Sequence, residues 1–319
     1  MTKRKPFAQL IDGVPRDPHW NPELSEEALR FRPGKRDLVV TSFPKSGTHW
    51  VLYIVELIMR RGQPVSSYED FTKDMRYLGV FETDSWKSRL PLRLIQTHLP
   101  PPKEAASTEG KYIYVARNPW DVAVSLFHMV TNLSVYRFQD GSFDELIDAF
   151  LSDDVIGNGN YFDHVVSGYA IKDEPNVLFV TYENLMEDTR GTILKLANFL
   201  GDHYARELEE DDQAFRTLLS RCAAERMRDT MIAHLDKNTQ PEFQIALDRL
   251  KETCKSGHNG DSAKYNLVRE ARVGGWKKHF TPEQLQRMEA AVKNAEKKSP
   301  VMDLWRNIRD DAIAASSAE

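Results

Sequence analysis

The residues best equipped for chemistry lie in one run, Thr41-Ser42-Phe43-Pro44-Lys45-Ser46-Gly47-Thr48-His49-Trp50. A short apolar segment ends at Ser42. An amphipathic segment starts near Thr48, with Trp50, Val51, Ile54, Val55 and Ile58 on one side. Between them sit a proline, a lysine, a glycine and hydroxyl side chains. This set suits an anion. A helix start offers unpaired N–H groups and the positive dipole end, glycine permits close approach, and lysine adds a cation. An ordinary strand-to-helix turn with a surface lysine has the same composition, so composition alone leaves both open. The order is not that of the triphosphate loop, where lysine follows the second glycine directly and Ser or Thr comes next. Here Lys45 precedes Gly47 by two positions, Gly34-Lys35 runs into Arg36, and Gly110-Lys111 runs into Tyr112. A phosphate cradle stands, while nucleoside-triphosphate hydrolysis loses its main support.

Three more sites could serve such a cradle. Arg117 ends an apolar segment, and Ser125 lies two turns into the helix after it, on a face that can return toward Arg117. An arginine fork and a hydroxyl can clamp a phosphate. His98, in Gln96-Thr97-His98-Leu99-Pro100, ends another apolar segment. A histidine there faces the usual ligand crevice of an open α/β sheet and can accept a hydroxyl proton near neutral pH. Tyr182 ends a further apolar segment. Each of these residues alone is as readily a cap, a surface group or a packed side chain.

The elements that must position them read as buried strands at Leu38–Ser42, Leu92–Thr97, Tyr112–Ala116 and Val177–Thr181. Each is short, apolar and rich in β-branched or aromatic residues. Helical patterns follow at Thr48–Arg60, Pro119–Met129 and Thr189–Leu200. The alternation predicts an α/β fold, a single domain with a central parallel sheet flanked by helices, spanning residues 1–319 with an ordered core of about 20–310. Ser142-Phe143-Asp144-Glu145 and Thr281-Pro282-Glu283-Gln284 are capping boxes. Ala205–Gly275 is polar and predicts helices with a long, mobile loop at Lys251–Asn266. The last eight residues or so are expected to fray.

Composition narrows the class. Of 319 residues 41 % are apolar and 29 % charged, which suits a globular chain with a sizeable core. A net charge of -5 argues against a backbone-tracking nucleic-acid binder. Cys222 and Cys254 are far apart, so neither a disulfide framework nor a cysteine zinc site is expected, and a reducing, cytoplasmic setting follows. Met1–Gly13 has no apolar core of a secretory signal. The longest apolar run, Trp50–Met59, is half the ~20 residues of a spanning helix, so no membrane partner is expected. The sequon Asn132-Leu133-Ser134 is read as a chance match.

The loop at Thr41–Trp50 resembles the 5′-phosphosulfate loop of the cytosolic sulfotransferases, Thr-Tyr-Pro-Lys-Ser-Gly-Thr-x-Trp. Further segments resemble that family in the same order, from Leu38 to Thr281. The resemblance implies a P-loop-like site for 3′-phosphoadenosine 5′-phosphosulfate, which leaves as adenosine 3′,5′-bisphosphate. It implies that Lys45, Ser46, Gly47 and Thr48 hold the donor's 5′-phosphate, that His49 and Trp50 also bind the donor, and that Trp50 carries most of the stacking on adenine. Arg117, Ser125 and Arg269 would take the 3′-phosphate, with Ser125 also restraining Lys45. Tyr182 would line the adenine pocket. Cys222-Ala223-Ala224-Glu225-Arg226-Met227 stands where Ser/Thr-Ser-Phe-x-x-Met is usual, so Cys222 and Met227 are carried over while Ala224 replaces an aromatic. In Arg269-Glu270-Ala271, Glu270 replaces lysine and Ala271 replaces glycine. Arg272 could compensate for Glu270. His98 matches the catalytic base, and Gln96 replaces the lysine two residues before it.

The resemblance also places Phe81, Tyr136, Phe138, Tyr161, Phe162 and His164 in regions that line the acceptor pocket, although core packing explains any one of them equally well. The expected activity is sulfuryl transfer, without a metal, to the hydroxyl of a small acceptor, first a phenol or phenolic monoamine and second a steroid-like alcohol. The segment from Lys277 through Thr281, Pro282 and Gln286 keeps two positions of the family's dimer segment, which leaves a homodimer open. A nucleotide kinase and an inactive adenosine-bisphosphate binder are the other readings.

Overall fold

Side-chain alternation along the strands sets the layers of this molecule. Its computed structural model describes residues 4–102, 109–234 and 264–317. A hairpin of β1 (Gln9–Ile11) and β2 (Val14–Arg16) precedes five strands: β3 (Asp37–Thr41), β4 (Met75–Tyr77), β5 (Arg93–Thr97), β6 (Lys111–Ala116) and β7 (Val177–Thr181). An antiparallel pair follows, β8 (Ile232–His234) and β9 (Lys264–Asn266). The five strands form one sheet in the order β4-β5-β3-β6-β7, and every neighbouring pair is parallel. Leu38, Val40, Leu94, Ile113, Val115 and Val180 point to one face, where the helices Thr48–Met59 and Thr189–Leu200 cover them. Tyr114 and Ala116 point to the other, against the helices Pro119–Asn132 and Phe143–Phe150. With both faces covered, each strand carries an apolar stretch rich in β-branched or aromatic residues.

The helices start where their chemistry places them. Asn118 caps Pro119–Asn132 by accepting from the Asp121 N–H, with proline at the first position. Both expected capping boxes form, Ser142 with Glu145 and Thr281 with Gln284. The four expected strands and three expected helices are present with ends shifted by at most three residues.

Four features differ from the expectations. The sheet has a fifth strand, β4, only three residues long and so without a pattern of its own. The ordered core begins before residue 20, because the hairpin and Trp20 pack under the sheet with Ile11 and Val39. Much of the C-terminal stretch expected to fray is helical: a helix runs Arg306–Ser316 and buries Ala312. Of the loop expected at Lys251–Asn266, residues 251–263 lie outside the described residues, and the remainder is β9.

Candidate active site

The loop after β3 is strained toward its task. Lys45 has φ +70° and Gly47 φ +100°, both left-handed. At Gly47 a Cβ would lie 2.7 Å from the Tyr182 ring, so only glycine fits there. The helix Thr48–Met59 starts at once, its first N–H groups facing the loop, and Ser42 Oγ and Thr48 Oγ1 share a 2.6 Å hydrogen bond that closes its base.

Arg117, at the end of β6, ties three segments together. One guanidinium nitrogen donates to the Lys45 carbonyl at 3.3 Å, and another donates to the Arg272 carbonyl at 3.0 Å. Its face lies 4.2 Å from the centre of the Tyr182 ring. Buried Asp121 accepts from the Gly274 and Trp276 N–H groups at 2.9 and 3.1 Å and so moors the segment that carries Arg269 and Arg272. Lys45 Nζ donates to the Tyr265 hydroxyl at 3.1 Å, the restraint that the resemblance assigns to Ser125. Trp50 meets Tyr182 edge-on at 5.5 Å, and its Nε1–H donates to the Cys222 carbonyl at 3.0 Å. Cys222 therefore acts through its backbone; burial pushes its thiol pKa up and leaves it inert.

His98 follows β5. Its Nδ1 lies 2.8 Å from the Ser42 carbonyl, an atom that can only accept, so the proton sits on Nδ1 and Nε2 keeps its lone pair. Burial lowers the ring's pKa more than that hydrogen bond raises it, which keeps the imidazole neutral. Burial, with Lys45 adding repulsion, pushes neighbouring His49 down to about 3.

These groups share one cavity of about 640 Å³ along the C-terminal edge of the sheet. Lys45, Gly47, Thr48, Arg117, Ser125 and Arg269 line it, and so do Gln96, His98, Phe81 and Tyr136. His49, Trp50, Tyr182, Met227, Glu270 and Ala271 complete the set of predicted residues on its wall. Gln96 is buried, with Oε1 unpartnered among the described residues.

Six predicted residues stand elsewhere. Ser46 is buried beneath the loop, its N–H donating to the Phe43 carbonyl at 3.3 Å. Cys222 stands behind Trp50. Tyr161 and His164 sit behind the wall rather than on it, because both are spent on support. Tyr161 donates to the Arg117 carbonyl and stacks on Phe150. His164 Nε2 donates to the His98 carbonyl at 3.2 Å and its Nδ1 accepts from the Tyr114 hydroxyl at 2.7 Å, with burial pushing its pKa down to about 3. Phe138 and Phe162 are core residues.

Sequence reasoning missed several wall residues. Asp17, His19, Tyr77, His128 and Tyr265 line the cavity, and Asp17 and His19 are bonded to each other at 2.6 Å. Asp121, three residues after Asn118 at a helix start, is readable as a cap and not as a mooring point. Tyr265 falls in a polar stretch with no period. Among the described residues no group of three His, Cys, Asp or Glu could hold a metal, and no helix is long and apolar enough to cross a membrane.

Residues 35–302 match the sulfotransferase domain model. The amine sulfotransferase of Oryctolagus cuniculus is 29% identical over 290 residues, covering 89% of this chain and 88% of the relative. Sulfotransferase 1E1 of Homo sapiens is 30% identical over 268 residues, covering 80% and 81%. In fold, mouse sulfotransferase SULT7A1 complexed with PAP superposes with a TM-score of 0.66 at 23% identity, covering 97% of this chain and 99% of that one. The chain belongs to the sulfotransferase family and is an enzyme of that class.

Proposed function

We propose that this enzyme moves the sulfuryl group of 3′-phosphoadenosine 5′-phosphosulfate to the hydroxyl of a small acceptor, a phenol or phenolic monoamine first. The observation that carries the reading is the shared cavity. A histidine with Nδ1–H committed to Ser42 and Nε2 free to take a proton lines the same space as Lys45, Arg117 and Ser125. Nε2 of His98 takes the acceptor's proton while its oxygen bonds to sulfur and the bond from sulfur to the 5′-phosphate oxygen breaks. Lys45, released from Tyr265, stabilises the charge left on that oxygen. Arg117, Ser125 and Arg269 hold the 3′-phosphate, and Trp50 and Tyr182 flank the adenine. Lysine and arginine supply the cations, so no metal is required. Positioning and charge stabilisation do most of the work, as in phosphoryl transfer.

One likeness supports the donor side of the reading: a solved fold neighbour is complexed with PAP. The chemistry fits the cytoplasm. Calorimetry tests the donor side. Adenosine 3′,5′-bisphosphate is expected to bind without magnesium, and ATP with magnesium is not. Tight ATP–magnesium binding with no response to the bisphosphate would return the site to the kinase reading.

A further inference from the structure

The 3′-phosphate side of the site already holds an anion of the protein's own. Glu270 lines the cavity with Arg269 and Arg272. One of its carboxylate oxygens pairs with Arg269, and the other lies 2.5 Å from Arg272 Nε. Arg272 in turn gives its carbonyl to Arg117. A carboxylate therefore sits among the guanidiniums that the proposed donor needs. Glu270 is about a third exposed, its side chain keeping 36% of its accessible surface, so it can leave this position for solvent without breaking the core.

We propose that Glu270 is an internal counter-ion of the 3′-phosphate subsite, and that it sets how strongly the protein prefers a 3′-phosphorylated adenosine nucleotide over one lacking that group. The inference rests on the donor proposed above. An incoming 3′-phosphate meets arginines already neutralised and must displace the carboxylate or remain beside it. Both outcomes weaken the phosphate's hold. The adenine and 5′-phosphate contacts at Trp50, Tyr182 and the Lys45 loop do not involve Glu270, so the penalty falls on the 3′-phosphate alone. An exposed ion pair shifts an equilibrium by about fivefold at most, so two such pairs bound the combined effect at about 25-fold, and an effect of about tenfold lies within that bound.

The test is calorimetric binding of adenosine 3′,5′-bisphosphate and of adenosine 5′-monophosphate to wild type, Glu270→Gln and Glu270→Lys. The ratio of the two dissociation constants isolates the 3′-phosphate. Glu270→Gln is expected to raise the preference for the bisphosphate by about tenfold with monophosphate affinity unchanged, and Glu270→Lys is expected to raise it further. An unchanged or reduced preference in Glu270→Gln, with wild type binding the bisphosphate, overturns the inference and leaves the donor reading intact. If no form binds either nucleotide, the donor reading fails and the inference falls with it. Matching thermal melts of the three proteins show that folding is not the cause.

Discussion

His98 carries the reaction in this account, and its surroundings fix what it should do. His98→Ala is expected to slow sulfuryl transfer by about 10²- to 10⁴-fold while leaving bisphosphate affinity unchanged, since the base serves the acceptor. An undiminished rate would remove His98 from the mechanism. Burial lowers the ring's pKa, so the neutral base persists below the ordinary ~6.5 and is lost only as pH falls through the depressed value. The acid limb of kcat/KM should therefore lie below pH 6.5. Gln96 is the second residue to question. It is buried on the cavity wall where the family pattern has a lysine. Gln96→Lys should hold or raise the turnover number; a large loss would mean that the centre has been rebuilt around a neutral group. At this scale the sequence was legible where a residue stood inside a contiguous motif, as His98, Arg117 and the Lys45 loop do. Tyr161 and His164 were misplaced on the wall because one face of a helix can serve a cavity or support the residues that do, and residue type does not tell these apart.

The loop and the strands that carry it form the next scale. Gly47 joins β3 to its helix with a backbone that alanine adopts only under strain, and its missing Cβ is where the Tyr182 ring lies. Gly47→Ala is expected to cost about 2–3 kcal/mol in denaturant unfolding, from the left-handed backbone and the ring contact together, and to weaken bisphosphate binding as Tyr182 is pushed aside. Wild-type stability and affinity would show that the loop has room to spare. Strands β3, β5, β6 and β7 were readable because burial on both faces leaves each with an apolar stretch rich in β-branched or aromatic residues. β4 was not, since its three residues are defined by pairing with β5 and not by any pattern of their own. The β1–β2 hairpin escaped for a similar reason, since each strand has three residues and Ile11 alone of the six is buried. Helix starts were the most legible of all, because a cap is a local contact between residues three apart.

Across the whole molecule, the sheet order brings the ends of β3, β5, β6 and β7 to one rim, so residues from 45 to 272 share a cavity that no stretch of sequence contains. That convergence explains why the anion loop was visible early while Asp17, His19 and Tyr265 were not. They reach the cavity from the two ends of the chain order, through segments without a motif. In the proposed reading, the cavity joins a cradle for a doubly phosphorylated nucleotide to a neutral, oriented imidazole. Transfer of radiolabelled sulfate from 3′-phosphoadenosine 5′-phosphosulfate to a panel of phenols and phenolic monoamines, run with EDTA present, tests that joining most directly. Labelled sulfate ester at a rate untouched by EDTA is the predicted result. No labelled product from any acceptor, with the nucleotide shown to be bound, would contradict the account.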